Sequence, residues 1–488
     1  MLVRGDSIHP DGPAIRPAVA SPADEQRFDP AAVFRAGLAL HHLANTAYPL
    51  AHQNTWRPYR LPNAAVGPFL NQTWQTNAEL CLYVHIPFCE SRCYYCEYTV
   101  VTNQTALEQS DYVQGLVQEI RRYRSVLPSA QPPIVGFDIG GGTPALLSQS
   151  ELDDIIAVVR QNFCLADDCQ ISMETTPSLA AAASAKLLHW KSVGIERVSM
   201  GIQVTQPLLL AQLNRTRESL DTHQKAMDQI RSAGFQAVNL DLMYGFARQT
   251  LADWQATLQH GVALEPDTIT VYQMRYKLSR IAREAAEVGL DKINAMQTIA
   301  HDLLTAYGYH ARIGKNTYAK PGHEPGTSSY LTHRVVEGVP YLGFGLGAQS
   351  FGPAYIAYNK GAAGKNLKPY LRSLQSNEWP VQDLYHLPLE QLQAKMIAVS
   401  FYFGAVHLPS FQRRFGVSLQ NAYPAAWDFV LNHQYMVVDG EHLQLTNRGS
   451  QYYNGIIALF YAPSVQAVLL EQARHQKQSG PRDGMAAS

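Results

Sequence analysis

The chain has 488 residues, of which 46% are hydrophobic, and its 39 basic and 40 acidic residues leave a formal net charge of −1. A chain of this length can form one large catalytic domain and one or two smaller modules around a substantial core. The near-zero charge gives no indication of binding to nucleic acid or to an anionic membrane surface. Apolar runs stay below the roughly 18 residues of a spanning helix, and Met1–Asp6 lacks a secretory h-region.

Residues 1–75 are predicted to form an N-terminal extension that is partly flexible. Its first 30 residues are rich in proline, alanine and aspartate, a composition typical of a flexible lead-in. A short helix is predicted from Pro30 to about Ala44. The segment that follows is irregular in pattern, and we expect its aromatic residues to pack on the main domain, with capping of a substrate cavity as the alternative. These residues are Trp56, Tyr59 and Phe69.

Between residues 76 and 320, short apolar strands alternate with amphipathic helices, which predicts an α/β fold with a parallel sheet and right-handed crossovers. The predicted strands are 82–86, 134–139, 170–174, 196–202, 237–243 and 268–273. The predicted helices are near 108–126, 149–161, 178–192, 217–233 and 251–263. Six such units, rather than eight, indicate an open, partial barrel whose functional residues follow the strands.

Three cysteines follow the first predicted strand in the order C-x3-C-x2-C, at Cys89, Cys93 and Cys96. Three thiolates this close can hold three irons of a cubane cluster. Because no fourth cysteine lies nearby, the fourth iron would stay open to an outside ligand. A zinc site and three unliganded structural cysteines are the alternatives. An open cluster needs reducing surroundings, which predicts a cytoplasmic protein.

Other polar or glycine-rich motifs follow the next strands. Gly140, Gly141 and Gly142 let the main chain approach a ligand and present N–H groups to an anion, with a plain tight turn as the alternative. Glu174, at a strand end, is typical of a carboxylate that binds ribose hydroxyls or complements a helix N-terminus. Asp241 lies in an apolar strand, where an unpaired carboxylate is costly, so we expect it to pair with Arg215 or a ligand.

Five motifs together resemble the radical S-adenosylmethionine (SAM) superfamily and, within it, the family of oxygen-independent coproporphyrinogen III oxidase. That family also contains heme chaperones, heme-opening enzymes and class C radical SAM methylases and cyclopropanases. The resemblance spans roughly residues 80–460. The motifs are Tyr-x-His-Ile-Pro-Phe-Cys at 83–89, Gly-Gly-Gly-Thr-Pro at 140–144, Ser-Met-Gly-Ile-Gln at 199–203, Asp-Leu-Met-Tyr-Gly at 241–245 and Gly-Phe-Gly-Leu-Gly-Ala-Gln-Ser at 343–350.

The resemblance implies that the three cysteines bind a [4Fe-4S] cluster and that SAM chelates its open iron. The residues that match contacts of this SAM are Tyr83, Gly141 and Glu174, with Gly140 in the same loop. The residues that match the surroundings of a second SAM are Tyr95, Gly142, Thr143, Gln203, Arg215 and Asp241. An external one-electron donor, such as flavodoxin or ferredoxin, and a small-molecule substrate are implied as partners; neither nucleic acid nor a membrane is.

The resemblance also implies how the domains are arranged. A partial (β/α)6 radical SAM barrel covers residues 76–320, and a connecting region at 321–386 completes the site. Residues 387–465 resemble the family's small helical, winged-helix-like module, which we interpret as a lid because it carries no basic stripe. The polar tail at 466–488 is predicted to be disordered.

Departures from the family pattern bear on the reaction. Tyr98 stands where the oxidase has a further cysteine, and residues 327–333 replace the chaperones' His-Asn-x-x-Tyr-Trp. These departures favour methyl or methylene transfer from a second SAM to an unsaturated, largely apolar substrate. The alternatives are oxidative decarboxylation of a porphyrinogen propionate and a heme-binding chaperone with a vestigial SAM site. In the decarboxylation, Arg215, Arg275 or Arg312 would hold carboxylates.

Overall fold

One large sheet organises the fold, and the described residues contribute eleven strands to it. The structure is a computed structural model that describes residues 16–478 except 75–78, 236, 277–278 and 324–325. The strands are β1 (Leu80–Ile86), β2 (Phe88–Cys89), β3 (Val101–Thr102), β4 (Ile134–Gly141), β5 (Ile171–Thr175), β6 (Ile195–Gln203), β7 (Ala237–Tyr244), β8 (Thr268–Gln273), β9 (Thr317–Ala319), β10 (Tyr341–Phe344), β11 (Gln349–Phe351), β12 (Tyr355–Asn359), β13 (Val381–His386), β14 (Ala405–His407), β15 (Met436–Asp439) and β16 (His442–Leu445).

Helices pack on the sheet and form most of the N-terminal extension and of the C-terminal region. The α-helices are α1 (Pro22–Glu25), α2 (Pro30–Ala39), α3 (His52–Thr55), α4 (Asn63–Thr73), α5 (Ala106–Arg124), α6 (Gln149–Asn162), α7 (Pro177–Ala182), α8 (Ser184–Ser192), α9 (Pro207–Gln212), α10 (Leu220–Ser232), α11 (Leu251–Ala263), α12 (Leu290–Ala306), α13 (Ser329–Thr332), α14 (Leu367–Gln375), α15 (Leu389–Ser400), α16 (Leu408–Phe415), α17 (Leu419–Ala422), α18 (Pro424–Asn432), α19 (Asn447–Ser450), α20 (Tyr453–Leu459) and α21 (Pro463–Gln478). Short 3₁₀ segments lie at Arg57–Tyr59, Pro144–Leu146 and Ala282–Glu287, and a π-helical turn lies at His333–Glu337.

The central sheet confirms the expected partial barrel. Strands β1, β4, β5, β6, β7 and β8 are neighbours in that order, and each pairing is parallel. Each of these strands begins and ends within two residues of its predicted bounds. The helix predicted at 178–192 is interrupted at Ala183 and forms α7 and α8.

Side chains along each barrel strand point alternately to the hydrophobic core and to the candidate site. On β6, Val198, Met200 and Ile202 are fully buried in the core. The residues between them, Ser199 and Gly201, line an internal cavity instead. Because successive side chains of a strand point to opposite faces, one strand supplies both the apolar layer and the site.

The connecting region lengthens the sheet beyond the predicted barrel. Strand β10 pairs in parallel with β1, and β11, β12 and β13 continue from it in antiparallel pairs. At the other edge, β9 pairs antiparallel with β8. The sequence analysis assigned no strands to this region, because these short strands lie among glycines and turns rather than in a strand-helix rhythm.

The N-terminal extension packs on the C-terminal module. Helix α2 begins as predicted, with the Asp29 side chain accepting hydrogen bonds from the backbone at its start, but it ends at Ala39 rather than Ala44. From residue 16 onward the expected flexible lead-in is folded, because the buried Asp24 accepts hydrogen bonds from Tyr59 Oη at 2.5 Å and Gln391 Nε2 at 2.9 Å. Residues 1–15 lie outside the described residues.

The predicted packing of Trp56 occurs at the interface between the N-terminal extension and the C-terminal module. Trp56 is fully buried and donates a hydrogen bond from Nε1 to Gln391 Oε1 at 2.8 Å. Its ring also lies 5.5 Å from that of Tyr385. Packing rather than capping is therefore the role of Trp56, with the C-terminal module and β13 as its partners.

The C-terminal module has the expected winged-helix-like form, since helices α15 to α20 accompany a small antiparallel sheet of order β14-β16-β15. The prediction of a disordered tail from residue 466 is wrong up to Gln478, where helix α21 ends. Val465, Leu469 and Ala473 recur at helical spacing and are buried in the cluster that contains α2. Residues 479–488 lie outside the described residues. Among the described helices, none is long and apolar enough to cross a membrane.

Candidate active site

A cavity of about 1790 Å³ opens at the carboxyl ends of the barrel strands. Ligand pockets commonly measure roughly 300–1,000 Å³, so this one exceeds the need of a single small ligand. The connecting region, the N-terminal extension and the C-terminal module all contribute to its walls. The predicted site residues that line it are Tyr83, Cys89, Cys93, Tyr95, Cys96, Gly141, Gly142, Thr143, Glu174, Gln203, Arg215 and Asp241. Gly140 is buried and does not line it.

The three cysteines are free thiols, each partly buried, on the loop that begins at β2. Burial, followed by the charges of the other two cysteines, raises the pKa of Cys89 to about 12. Burial likewise raises the pKa of Cys96. Cys89 and Cys96 would therefore need a bound cation to remain ionised in this loop, which is what the irons of a cluster would supply.

The cysteine loop offers three sulfur donors. Among the described residues, no three His, Cys, Asp or Glu side chains form a group that could hold a single metal ion. Sulfur ligands of this kind are those that hold iron-sulfur clusters, so the binding of a cluster by these three cysteines stays a prediction.

Arg215 contacts the cysteine loop rather than Asp241. Its Nη1 lies 3.8 Å from Cys93 Sγ and donates to Tyr95 Oη at 3.3 Å. Its Nη2 donates to the Gly201 carbonyl at 2.6 Å and lies 3.6 Å from a Glu218 carboxylate oxygen. Arg215 therefore ties the cysteine loop to the end of β6, and the expected pairing of Arg215 with Asp241 is wrong.

Asp241 finds neutral partners on the inner face of the barrel instead. Its Oδ2 accepts a hydrogen bond from Ser199 Oγ at 3.1 Å, and its Oδ1 accepts one from Asn239 Nδ2 at 2.7 Å. Both partners lie at inward-facing positions of β6 and β7. The carboxylate is thereby held facing the cavity, with capacity left for a ligand.

The glycine loop is required by close packing. A Cβ on Gly140 would lie 2.7 Å from Glu174 Oε1, and one on Gly142 would lie 2.7 Å from the Phe88 carbonyl oxygen. Gly141 has a φ of +122°, and a Cβ there would lie 2.4 Å from His85 Nδ1. A side chain is therefore disfavoured at Gly142 by backbone atoms and at Gly141 by the positive φ as well, whereas at Gly140 it would displace the Glu174 carboxylate.

The N–H groups of this loop are used within the protein. Gly141 N donates to Glu174 Oε2 at 3.0 Å, and Gly142 N donates to the Ile86 carbonyl at 2.8 Å. The expectation that these amides present themselves to an anion is therefore not met at Gly141 and Gly142. The loop instead lets the backbone lie close to a ligand, and its Gly141 amide fixes the orientation of Glu174.

His85 orients its neighbours from a buried position. Burial lowers the pKa of His85 to about 4, so the ring is neutral. Its Nε2 lies 2.8 Å from the Thr99 carbonyl, which can only accept, so Nε2 carries the proton. Nδ1 then accepts a hydrogen bond from Tyr83 Oη at 3.2 Å. The ring fixes Tyr83 at the cavity wall and tethers the chain that leaves the last cysteine.

The two remaining predicted positions lie beside the same loops. Thr143 Oγ1 donates to Cys89 Sγ at 3.5 Å. Gln203 ends β6 with a φ of +72°, and its amide closely covers the Cα of Gly201. A positive φ in a residue other than glycine is uncommon and is often associated with a functional constraint.

The sequence analysis missed two charged residues among the predicted ones. Asp138 on β4 and Arg197 on β6 both line the cavity, and Asp138 Oδ1 is buried without a hydrogen-bond partner among the described residues. Both lie at inward-facing strand positions, which is the signal that would have found them. With Glu174 and Asp241 they form what we call the acidic end of the cavity: Asp138, Glu174, Asp241 and Arg197.

The pKa values of the three carboxyl groups at the acidic end are raised, mainly by burial. Burial, with the charges of Asp241 and Asp138, raises the pKa of Glu174 to about 7. Burial raises the pKa of Asp241 and that of Asp138 to about 6, although the Arg197 charge opposes the shift at both. A cation lying among these three carboxyl groups would favour their ionised forms.

Three basic residues line another part of the wall, which we call the basic end: Arg275, Arg334 and Lys395. Arg275 follows β8, Arg334 lies in the π-helical turn, and Lys395 lies in α15. Of the arginines named from the sequence as carboxylate ligands, Arg275 and Arg215 line the cavity and Arg312 does not. The basic end therefore comes mainly from residues that the sequence analysis did not consider.

Comparison with known proteins covers the region that contains the candidate site. The model of the Radical SAM superfamily matches residues 83–261, which contain the cysteine loop, Glu174 and Asp241. The heme chaperone HemW of Synechocystis sp. is 30% identical over 55% of this chain and 65% of its own length. The match thus spans just under two thirds of that relative. The oxygen-independent coproporphyrinogen III oxidase of the same organism is 29% identical over 64% of this chain and 68% of its own length.

A solved structure shares the fold. The coproporphyrinogen III oxidase of Escherichia coli, described as a radical SAM enzyme, superimposes with a TM-score of 0.68 over 85% of this chain and 96% of that chain. The two sequences are 22% identical, so the likeness concerns the fold. Because an oxidase and a chaperone match about equally well, the reaction has to be argued from the site itself.

Proposed function

We propose that this chain, which belongs to the radical SAM superfamily and to its coproporphyrinogen III oxidase-like family, is an enzyme that uses two SAM molecules to transfer a methyl or methylene group to an unsaturated substrate. A [4Fe-4S] cluster and SAM are the cofactors of this superfamily. When bound and reduced by an external donor such as flavodoxin or ferredoxin, they supply a 5′-deoxyadenosyl radical that removes a hydrogen atom from carbon. The need to keep such a cluster reduced supports a cytoplasmic location.

The residues at the cysteine loop are suited to hold these cofactors. Cys89, Cys93 and Cys96 would bind the cluster, and Arg215 would keep the loop in place through its contact with Cys93. The glycine loop would give SAM access to the backbone. Glu174, fixed by the Gly141 amide, would accept hydrogen bonds from the ribose hydroxyls.

The observation that carries the second SAM is a pair of carboxylates on the two strands next to β6. Glu174 on β5 and Asp241 on β7 flank β6, and both face one cavity of about 1790 Å³. Each carboxylate has acceptor capacity left for a ribose, and the volume is large enough for two nucleosides and part of a substrate. Arg197 between them offsets part of the repulsion between the two carboxylates.

The rest of the lining supports a flat, conjugated substrate. Aromatic side chains contribute much of the wall away from the cysteine loop, and such rings pack well against flat π-systems. These residues are Tyr272, Tyr330, Tyr341, Tyr402 and Tyr453. Since the names of the relatives refer to coproporphyrinogen III and to heme, we take a tetrapyrrole as the substrate class. The macrocycle of a tetrapyrrole is unsaturated and largely apolar, whatever polar groups its side chains carry.

The test is an anaerobic reaction of the reconstituted full-length protein with SAM, a reductant and a tetrapyrrole, followed by mass spectrometry. We expect 5′-deoxyadenosine, S-adenosylhomocysteine and a product labelled by deuterated SAM methyl groups. Asp241→Asn should keep 5′-deoxyadenosine formation and lose S-adenosylhomocysteine, while the exposed Asp228→Asn should change neither. Parallel loss of both products in Asp241→Asn would contradict a second SAM at that residue.

Oxidative decarboxylation of a propionate is the second candidate, favoured by Arg275 in the cavity wall. It predicts carbon dioxide and no S-adenosylhomocysteine in the same reaction. A chaperone would bind heme tightly and form neither product. The three outcomes are therefore distinguished by one set of measurements.

A further inference from the structure

Lys395 is an unusual residue for its position. It lies in α15, where residues 391–400 are all buried, and its own side chain is 6% exposed. Its Nζ donates a hydrogen bond to the Tyr48 carbonyl at 3.2 Å. Burial, together with the positive charges of Arg334 and Arg275, lowers the pKa of Lys395 to about 7. A buried ammonium without an anion is unfavourable, and an apolar residue would serve packing better.

Arg334 is surrounded by aromatic rings rather than by carboxylates. Its guanidinium lies 4.6 Å from the ring centre of Tyr341 and 5.5 Å from that of Tyr330, and its Nη1 donates to Tyr330 Oη at 3.3 Å. Stacking on tyrosine orients the guanidinium and leaves further N–H groups free to bind a planar anion in bidentate fashion.

The carboxylates near Arg334 and Lys395 form no ion pair with them. Arg275 forms an ion pair with Glu97 and donates to Tyr402 Oη at 3.1 Å. Asp138 interacts with Arg334 only at longer range, since its Oδ2 accepts a hydrogen bond from Ser328 Oγ at 2.7 Å and its Oδ1 has no partner among the described residues. Among the described residues, no carboxylate oxygen lies within 4.0 Å of a nitrogen of Arg334 or Lys395. Two cations at the cavity wall are thus left without an ion-pair partner.

We propose that Arg334 and Lys395 form an anion subsite that binds a carboxylate of the substrate, with Arg275 and Tyr402 at its edge. This proposal rests on the proposed function and narrows its substrate class to an unsaturated acid. Arg334 would grip the carboxylate through its planar N–H groups, and Lys395 would add a point charge from the C-terminal module. The connecting region and the module thereby select and position the substrate, while the barrel holds the cofactors.

The test uses coproporphyrin III, which carries carboxylates, and its tetramethyl ester, which has the same ring without the charges. Both are titrated against the reconstituted full-length protein by fluorescence quenching. A hydrogen-bonded charge pair contributes enough for about a tenfold or larger preference for the acid. Lys395→Met and Arg334→Gln should each reduce acid binding by about tenfold and leave ester binding unchanged.

Controls separate this effect from misfolding. The exposed Lys225→Met and Arg283→Gln should bind both porphyrins like the unchanged protein. Lys395→Arg should keep the preference for the acid, because it keeps the charge. Lys395→Met should also melt at the same or a higher temperature, since it removes a buried charge.

Two results would overturn the subsite: equal binding of acid and ester by the unchanged protein, or equal losses of both in Lys395→Met. Failure of the proposed function looks different. Another outcome is that the unchanged protein forms no S-adenosylhomocysteine while its binding of coproporphyrin III still depends on Lys395. In that case the proposed methyl transfer is wrong and the anion subsite stands.

Discussion

The acidic and basic ends of the cavity differ in where their residues come from and in which ligand they suit. The acidic end consists of residues on adjacent barrel strands, whereas the basic end combines Arg275, Arg334 and Lys395 from three distant segments. SAM carries a sulfonium and an ammonium against one carboxylate, so the acidic end suits it. An acidic substrate suits the basic end. The difference teaches that charge is divided along the cavity: barrel strands supply the carboxylates, whereas two of the three basic residues, Arg334 and Lys395, come from the connecting region and the C-terminal module.

The largest expected effect is at the cysteine loop, next to the acidic end. Cys93→Ser should lose the cluster completely, because a serine hydroxyl does not replace a thiolate ligand. Iron and acid-labile sulfide of the anaerobically reconstituted protein measure this loss. Cys164→Ser removes an exposed free thiol and should keep the full content. A full complement of iron in Cys93→Ser would remove that residue from the ligand set.

Gly141→Ala tests whether SAM binding depends on the close packing of Gly141 against His85, which keeps the Gly141 amide in place to bind Glu174. The new Cβ would lie 2.4 Å from His85 Nδ1 at a φ of +122°, which should cost about 1–3 kcal/mol of unfolding free energy and abolish SAM binding. Gly234→Ala is the matched control, since it has a φ of +86° with nothing within 4 Å. It should cost about 1 kcal/mol and leave SAM binding intact. Similar SAM binding by the two variants would show that the glycine loop does not shape the cofactor site.

Glu174→Gln should weaken SAM binding about 10–100-fold, because a hydrogen bond to a charged group contributes roughly 1.5–3 kcal/mol. Equilibrium dialysis with labelled SAM measures the change. Glu196→Gln alters an exposed carboxylate on β6, outside the cavity, and should have no effect. Unchanged affinity in Glu174→Gln would place the ribose elsewhere.

The smallest expected effect is the pH dependence of ligand affinity. It compares the two ends of the cavity directly, because affinity for SAM should rise with pH and affinity for an acidic porphyrin should fall. SAM affinity should rise about threefold or more from pH 5.5 to 7.5, as Glu174, with a pKa of about 7, and Asp241, with a pKa of about 6, lose protons. Affinity for coproporphyrin III should fall as pH rises through 7, where Lys395 loses its proton. Titrations of both ligands over this range check the signs, and parallel slopes would contradict the assignment of the two ends.

The barrel could be predicted from the sequence because short apolar strands alternate regularly with amphipathic helices. The cysteine loop could be located because its three cysteines are close in sequence, and their role as cluster ligands stays a prediction. The pairing of β10 with β1 joins residues 341–344 to 81–84, and no local pattern encodes such a distant contact.

Lys395 left only a weak signal, because Glu390, Gln391 and Gln393 precede it in α15 and the apolar residues 396–399 follow it. Its burial arises from packing against distant segments. For Asp241 the sequence analysis expected Arg215 or a ligand, and Arg215 is not its partner. Ser199 becomes a neighbour of Asp241 only when β6 and β7 pair, whereas Asn239 lies two residues away on the same strand.

The central claim is that three thiolates leave one iron of a four-iron cluster open for SAM. Electron paramagnetic resonance of the reduced, anaerobically reconstituted protein tests it directly, with SAM carrying ¹⁷O in its methionine carboxylate. The account predicts a [4Fe-4S]⁺ signal that changes when SAM is added and broadens with the label. A signal indifferent to SAM, or the absence of a four-iron signal, would contradict it.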